Sequence, residues 1–212
     1  SKELRTRIEG VLDVTRTRTT LRVSAENIKN YTYLINRAIR REGMEEKWLS
    51  GPMVEQNSGN IQVFTAQLTQ NFKLGILHWD NEVTYQTTSN ADILPLPKLN
   101  IYSNLYLNFN LVKNVLRMQL GGDVRYFTKY YAPDYCPSVQ QFYVQNPEQR
   151  INIGYYPIIN TYVNAEWKRT RIYVQVFSHI NQGKGNRNYF LAPHYPINPS
   201  AIKIGISWSF YN

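Results

Sequence analysis

The last dozen residues alternate without a break. Ile202, Ile204, Ile206, Trp208 and Phe210 fall on one side of an extended chain, and Lys203, Gly205, Ser207 and Ser209 on the other. A period of two is the signature of a strand with one apolar and one polar face. The same alternation recurs at residues 4–14, 19–33, 61–72, 76–88, 98–110, 115–131, 158–167 and 170–180, about nine strands in all. The cleanest is 98–110, where Leu99, Ile101, Leu105, Leu107 and Phe109 oppose Asn100, Tyr102, Asn104, Tyr106, Asn108 and Asn110.

Strand length then narrows the fold. Strands of soluble sheets usually run about 5–6 residues, whereas a tilted membrane-crossing strand needs about 9–11. The connections alternate short, long, short, long, and the long ones fall at about 35–60, 89–97, 132–157 and 182–200. All ten prolines lie in or beside those long segments, where they break no ladder hydrogen bond. Short turns at one end and long loops at the other are the habit of outer-membrane barrels. Residues 1–212 are therefore expected to form a single antiparallel transmembrane β-barrel region, its long loops extracellular. Within the first long segment, residues 34–48 carry a loose apolar spacing that predicts a short helix.

Composition agrees with a membrane barrel and excludes a helical membrane protein. No stretch approaches 18 consecutive apolar residues, and the mean hydropathy is −0.46. A barrel strand turns half its residues to a polar lumen, so low mean hydropathy does not count against it. Aromatics make up 14% of the chain, with 17 tyrosines. The net charge of +9 admits nucleic acid, anionic lipid or an anionic solute as partner. Basic residues alternate with acidic ones along the strands, which weakens the nucleic-acid reading, and none is expected to bind. The single Cys136 cannot form an internal disulfide and reads as a passenger in a loop. No signal-peptide pattern stands at Ser1, so a leader was removed or the chain is a piece of something longer. If the C-terminus is periplasmic, the first strand also runs downward and starts at the outer rim. Barrels of this kind normally begin and end on the periplasmic side with an even strand number. The expectation is the C-terminal part of a larger barrel, unless one strand is miscounted.

Four stretches carry a family resemblance. Glu26-Asn27-Ile28-Lys29-Asn30-Tyr31 resembles a strand end, Gly154-Tyr155-Tyr156-Pro157-Ile158-Ile159 a strand start, and Lys168-Arg169-Thr170-Arg171-Ile172-Tyr173 a basic turn, of the Putative porin barrels of Bacteroidota-type Gram-negative bacteria. His194-Tyr195-Pro196 with Gly205-Ile206-Ser207-Trp208-Ser209-Phe210 is similar to their closing element. The order and spacing of the four carry the match, best from about 152 to 212. The closing element also resembles that of TonB-dependent transporters. The resemblance implies an outer-membrane channel for passive diffusion of small solutes, located in the Gram-negative outer membrane. Its partners would be lipid, lipopolysaccharide, the barrel-assembly machinery that reads the C-terminal strand, and the solutes. A homo-oligomer, or a complex with other outer-membrane proteins, is also open. The alternatives are a barrel with a structural, docking or TonB-dependent transport role, and a soluble β-sandwich or small-ligand barrel.

No catalytic residue, cofactor or metal is called for. His78, Asp80 and Glu82 share a strand face, yet a hydrated wall of alternating polar residues accounts for them. His78, His179 and His194 have no ligand spacing, no G-x-S-x-G elbow is present, and Gly183-Lys184-Gly185-Asn186 lacks the following helix a phosphate cradle needs. The candidate lumen residues are Arg5, Arg7, Glu9, Asp13, Arg22, Glu26, Asp80, Glu82, Asn104, Asn108, Arg117, Asp123, Arg125, Asn164, Glu166, Arg171 and Lys203. With Arg18 and Lys98 assigned to the same face, it carries nine basic residues against seven acidic, which predicts a slight anion preference. Cross-strand pairing that merely rigidifies the wall is the other reading. Trp79, Tyr85, Tyr126, Trp167, Trp208 and Phe210 are the candidate membrane-facing aromatics, as a girdle at the interfaces would place them; an ordinary sandwich core would bury them instead.

Overall fold

The computed structural model describes residues 1–40, 43, 47–180 and 190–210. Fifteen strands succeed one another, with no helix among the described residues: β1 (Leu4–Val14), β2 (Thr19–Lys29), β3 (Thr32–Arg40), β4 (Lys47–Gln56), β5 (Asn60–Leu74), β6 (Leu77–Thr88), β7 (Leu99–Val112), β8 (Leu116–Phe127), β9 (Asp134–Cys136), β10 (Gln141–Tyr143), β11 (Ile158–Trp167), β12 (Thr170–Ser178), β13 (Phe190–Ala192), β14 (Tyr195–Pro196) and β15 (Ala201–Trp208). Nine of them form one sheet in the order β1-β2-β5-β6-β7-β8-β11-β12-β15, every neighbour antiparallel. The sheet is open. β1 and β15 are its edges and, with an odd number of antiparallel strands, they run in the same direction.

Length and turn chemistry explain this meander. Each short connection holds one residue in the left-handed region: Arg18 (φ 55°), Gly75 (φ 59°), Asn114 (φ 56°) and Lys168 (φ 54°). Glycine takes that conformation freely and asparagine tolerates it, while an arginine or lysine there carries a small strain. The first of these turns is closed by Thr17 N–H donating to Val14 O (3.1 Å) and Arg18 N–H to Thr15 O (3.2 Å). β5 continues through Leu74, and the turn to β6 begins at Gly75.

The strands are steeply staggered. From Leu12, near the end of β1, the row of register partners runs through Leu21, Leu68, Val83 and Ile101 to Tyr126, next to the last residue of β8. Within six strands the row has climbed from the short-turn end to the long-loop end.

Among the described residues of 34–48 the expected helix is not found. The described part of that stretch is strand, and β3 and β4 pair as a hairpin, Thr32 opposite Gln56 and Arg40 opposite Lys47. Thr32, Tyr33 and Ile35 favour extended chain, and a second partner arrives from outside the hairpin. Val144 N–H donates to Leu34 O (2.7 Å) and Asn36 N–H to Val144 O (3.3 Å), a parallel bridge. Pro52 lies within β4 opposite Asn36, tolerated because a two-stranded ribbon is all edge. The short pairs β9–β10 and β13–β14 likewise occupy segments that read as plain loop.

The buried core sits at the long-loop end and not between the faces of the sheet. Ile28, Ile35, Ile61, Ala132, Val144, Ile153, Tyr156, Ile158, Pro193 and Ile197 are buried. All belong to the long connections or to strand ends beside them. In the wall, large apolar side chains stand exposed, Ile8 by 76%, Ile204 by 70% and Trp208 by 62%.

Candidate functional site: the polar face of the sheet

Register decides which residues share a face, because directly opposed residues of antiparallel strands project to the same side. All seventeen candidate residues fall on one face. Arg5 and Arg7 oppose Ile28 and Glu26, and Arg22 opposes Val11 and Gln67. Asp80 opposes Asn104, which opposes Asp123, and Asn108 opposes Gln119, which opposes Asn164. Glu166 opposes both Arg117 and Arg171, and Lys203 opposes Gln175. Two residues differ from expectation. Arg18 lies in the first turn and Lys98 precedes β7, so neither is a strand residue.

Charges occur along the whole of this face. At the β1–β2 edge they are paired: Arg5 with Glu3 (2.7 Å) and Glu26 (3.8 Å), Arg22 with Glu9 (3.4 Å), and Arg7 with Glu9. Thr20 donates to Asp13 (3.1 Å). In the middle the face is tied by bonds among amide, phenol and carboxylate side chains, and Asp123 also lies 4.0 Å from Arg125 Nε. Tyr162 donates to Asn104 Oδ1 (2.9 Å), Asn160 to Asp123 (3.0 Å) and Asn164 to Gln119 Oε1 (2.8 Å). His78 stacks on Tyr106 with centroids 4.9 Å apart, and Arg125 lies 5.4 Å over the Tyr102 ring. Among the described residues no three His, Cys, Asp or Glu side chains converge as a metal site would need. Gly183-Lys184-Gly185-Asn186 lies outside the described residues.

Tyr102, Tyr106, Tyr162 and Tyr173 belong to this face too, and a search for charged and amide groups alone passes them by. Their positions follow from the alternation. The posture of the last three does not, because it depends on glycines in the neighbouring strand. A Cβ on Gly121 would lie 2.6 Å from Tyr106 Cβ and 2.8 Å from the Tyr162 hydroxyl, and one on Gly205 would lie 2.0 Å from Tyr173 Cζ. These glycines are notches over which tyrosines fold.

The opposite face is apolar. Trp79, Tyr85, Tyr126, Trp167 and Trp208 all lie on it by register, and Phe210 stacks on Trp208 at 5.7 Å. Several of its polar groups are satisfied among themselves. Trp79 Nε1 donates to Ser103 Oγ (2.8 Å), Ser103 to Asn81 Oδ1 (2.8 Å), and Thr19 to Gln70 Oε1 (2.5 Å).

At its long-loop end the polar face is covered. Ser24, Ile28, Ile61, Ile158 and Asn160 are polar-face residues by register, and all are buried. The segment 128–157 joins the other connections above them. Its Val144 bridges to β3, its Arg150 reaches Asp92 between β6 and β7 (2.5 Å), and its Asp134 meets His194 Nδ1 (2.8 Å). Asp134 also accepts the Tyr143 hydroxyl (2.8 Å), and burial with that bond pushes the Tyr143 phenol up to about 12. The Gln145 side chain, 6% exposed, donates to Ala132 O (2.6 Å) and Ile151 O (3.0 Å) and accepts from Ile151 N–H (2.7 Å). Cys136 lies in β9 with its sulfur 3.1 Å from Ser138 Oγ. The hydroxyl's hydrogen bond lowers the thiol pKa.

These features define a class: an all-antiparallel β protein whose extended wall is polar on one side and apolar on the other, with its long connections gathered at one end. The chain belongs to the family described as Putative porin, whose model matches residues 1–212, the whole chain. No curated protein and no solved structure matches it. Membership carries the expectation of a porin-like outer-membrane role and of a non-enzymatic channel. No helix among the described residues is long and apolar enough to cross a membrane, which says nothing of crossing by strands.

Proposed function

We propose that the chain forms the wall of an outer-membrane channel through which small solutes diffuse passively, its apolar face in lipid and its polar face toward water. The observation that carries this reading is the exposed apolar face itself. Leu105, Leu107, Leu120, Leu68 and Ile206 are continuous by register with Trp79 and Trp167, and among the described residues no protein layer covers them. Monomeric soluble proteins rarely expose patches beyond a few hundred Å². The self-satisfied Trp79–Ser103–Asn81 group on that face also suits a solvent that offers no hydrogen bonds.

The stagger supports a barrel. Gaining roughly eight residues of height over five inter-strand steps, at about 3.3 Å and about 4.8 Å each, gives a tilt of roughly 45°, that of membrane-crossing strands. Antiparallel closure between two edges that run the same way calls for an odd number of further strands. Lipid and lipopolysaccharide at the apolar face, recognition of β15 by assembly machinery and self-association belong to the same proposal. The paired charges near β1 and the Arg117–Glu166–Arg171 row, where two guanidinium groups flank one carboxylate, favour a weak anion preference. A barrel with a docking or structural role is the second reading, and the folded cover over the long-loop end of the polar face favours it. Planar-bilayer recordings of the purified protein separate the two. Stepwise conductance with a reversal potential toward the anion side is expected; absence of any step overturns the channel, and a cation-side potential overturns the anion preference.

A further inference from the structure

We infer that the short-turn end of the polar face holds a subsite for a carboxylated sugar, a hexuronate. The inference rests on that face being the lumen. A cavity of about 440 Å³ opens there, across β7, β8, β11 and β12, within the size range of small-molecule sites. Its floor carries an Arg117–Glu166–Arg171 row, the carboxylate being the register partner of both arginines. One positive charge is left over. Arg117 is held by Asn108 Oδ1 at 2.8 Å, and among the described residues Arg171 has no ion pair. A guanidinium with its fork open is the group that grips a carboxylate through two parallel hydrogen bonds.

The rest of the cavity suits hydroxyls. Asn108 accepts from Arg117 and Gln119 accepts from Asn164, so both keep their amide N–H groups as donors, while Asn164 keeps its carbonyl as an acceptor. A sugar ring needs such paired donors and acceptors at fixed spacing, whereas a bare inorganic anion does not. It also needs a platform for its C–H face, and Tyr173 supplies one. The ring is folded over Gly205, a contact possible only because no Cβ is there, and it stays 46% exposed. The electron-rich face of an aromatic ring attracts polarised C–H groups.

Calorimetry on the detergent-folded protein with galacturonate, galactose and acetate tests this. Galacturonate should bind, and galactose and acetate should each bind at least about tenfold more weakly, a difference of one decade in Kd. Arg171→Gln should bring galacturonate down to galactose, and Tyr173→Leu should bring it down to acetate. Arg171→Lys, which keeps the charge and loses the fork, should fall between. Gly205→Ala displaces the Tyr173 ring and should act like Tyr173→Leu. Equal affinity for the three compounds overturns the subsite, as does a folded Arg171→Gln protein with unchanged galacturonate binding. If no variant folds, the ranking of the three compounds on the unmodified protein still decides. Bilayer conductance recorded alongside keeps the two claims apart. A conducting protein that ranks the compounds equally keeps the channel and loses the subsite. The expected ranking without conductance does the reverse.

Discussion

The wall and the cover at its long-loop end are built on opposite principles. In the cover, apolar side chains such as Ile35, Val144 and Ile153 are buried and two polar ones are held by several bonds each, Gln145 by three and Asp134 by contacts with Tyr143, Tyr135 and His194. That is the economy of a protein folding in water. In the wall the apolar side chains stand outward and the polar ones line the opposite face. On the proposed membrane reading one chain answers to two solvents, and the boundary falls at Ile28, Ile61 and Ile158, apolar residues on the polar face that are buried beneath the cover.

The contrast can be broken at graded sites. Leu105→Arg, mid-strand on the apolar face, should cost roughly 2–4 kcal/mol in a bilayer, while Asn104→Arg one residue away should cost only the roughly 0.5–1.5 kcal/mol of the Tyr162 hydrogen bond it removes. Urea unfolding in lipid vesicles measures both, and equal costs would erase the distinction between the faces. In the cover, Gln145→Ala strands two carbonyls and an N–H and should cost about 1–3 kcal/mol. Faster proteolysis within 128–157 is expected, with amide exchange in β5–β8 unchanged. If the wall loosens equally, cover and wall are one cooperative unit. Arg150→Ala removes an ion pair to exposed Asp92 and a contact 4.3 Å over the Tyr131 ring. About 0.2–1 kcal/mol is expected, read as a small, salt-sensitive rise in the same proteolysis.

The smallest effect is one of pH. His179 follows β12, and burial first, then the Lys203 charge, lowers its pKa below the ordinary 6.5. As pH falls below 6.5 the unfolded chain takes up a proton that the folded one resists, so stability is full above that value and declines beneath it. His179→Gln should flatten this part of the stability–pH curve. An unchanged slope assigns it to another group.

Much of the wall is legible in the sequence, and the cover is not. Alternation fixes a strand's faces by local geometry alone, so the order of residues is enough to send Leu105 and Asn104 to opposite sides. Short turns declare themselves through Gly75 and Asn114. The cover rests on contacts between residues far apart in sequence, as Asp134 with His194 or Leu34 with Val144, and no local period encodes these. The stretch 34–48 misleads for the same reason: its extended form is stabilised by β4 and by Val144. The Gly205–Tyr173 notch likewise needs the register of β12 against β15, which neither strand states alone.

A membrane wall requires that the apolar face, and not the polar one, meet lipid. Single cysteines placed in turn from residue 103 to 109 of β7, in a Cys136→Ser background and reconstituted in vesicles, test this directly. A membrane-impermeant thiol reagent should label positions 104, 106 and 108, while a fluorophore at 105, 107 and 109 should be quenched by brominated lipid. Labelling by the aqueous reagent at every position, with no quenching at 105, 107 or 109, would contradict the membrane wall.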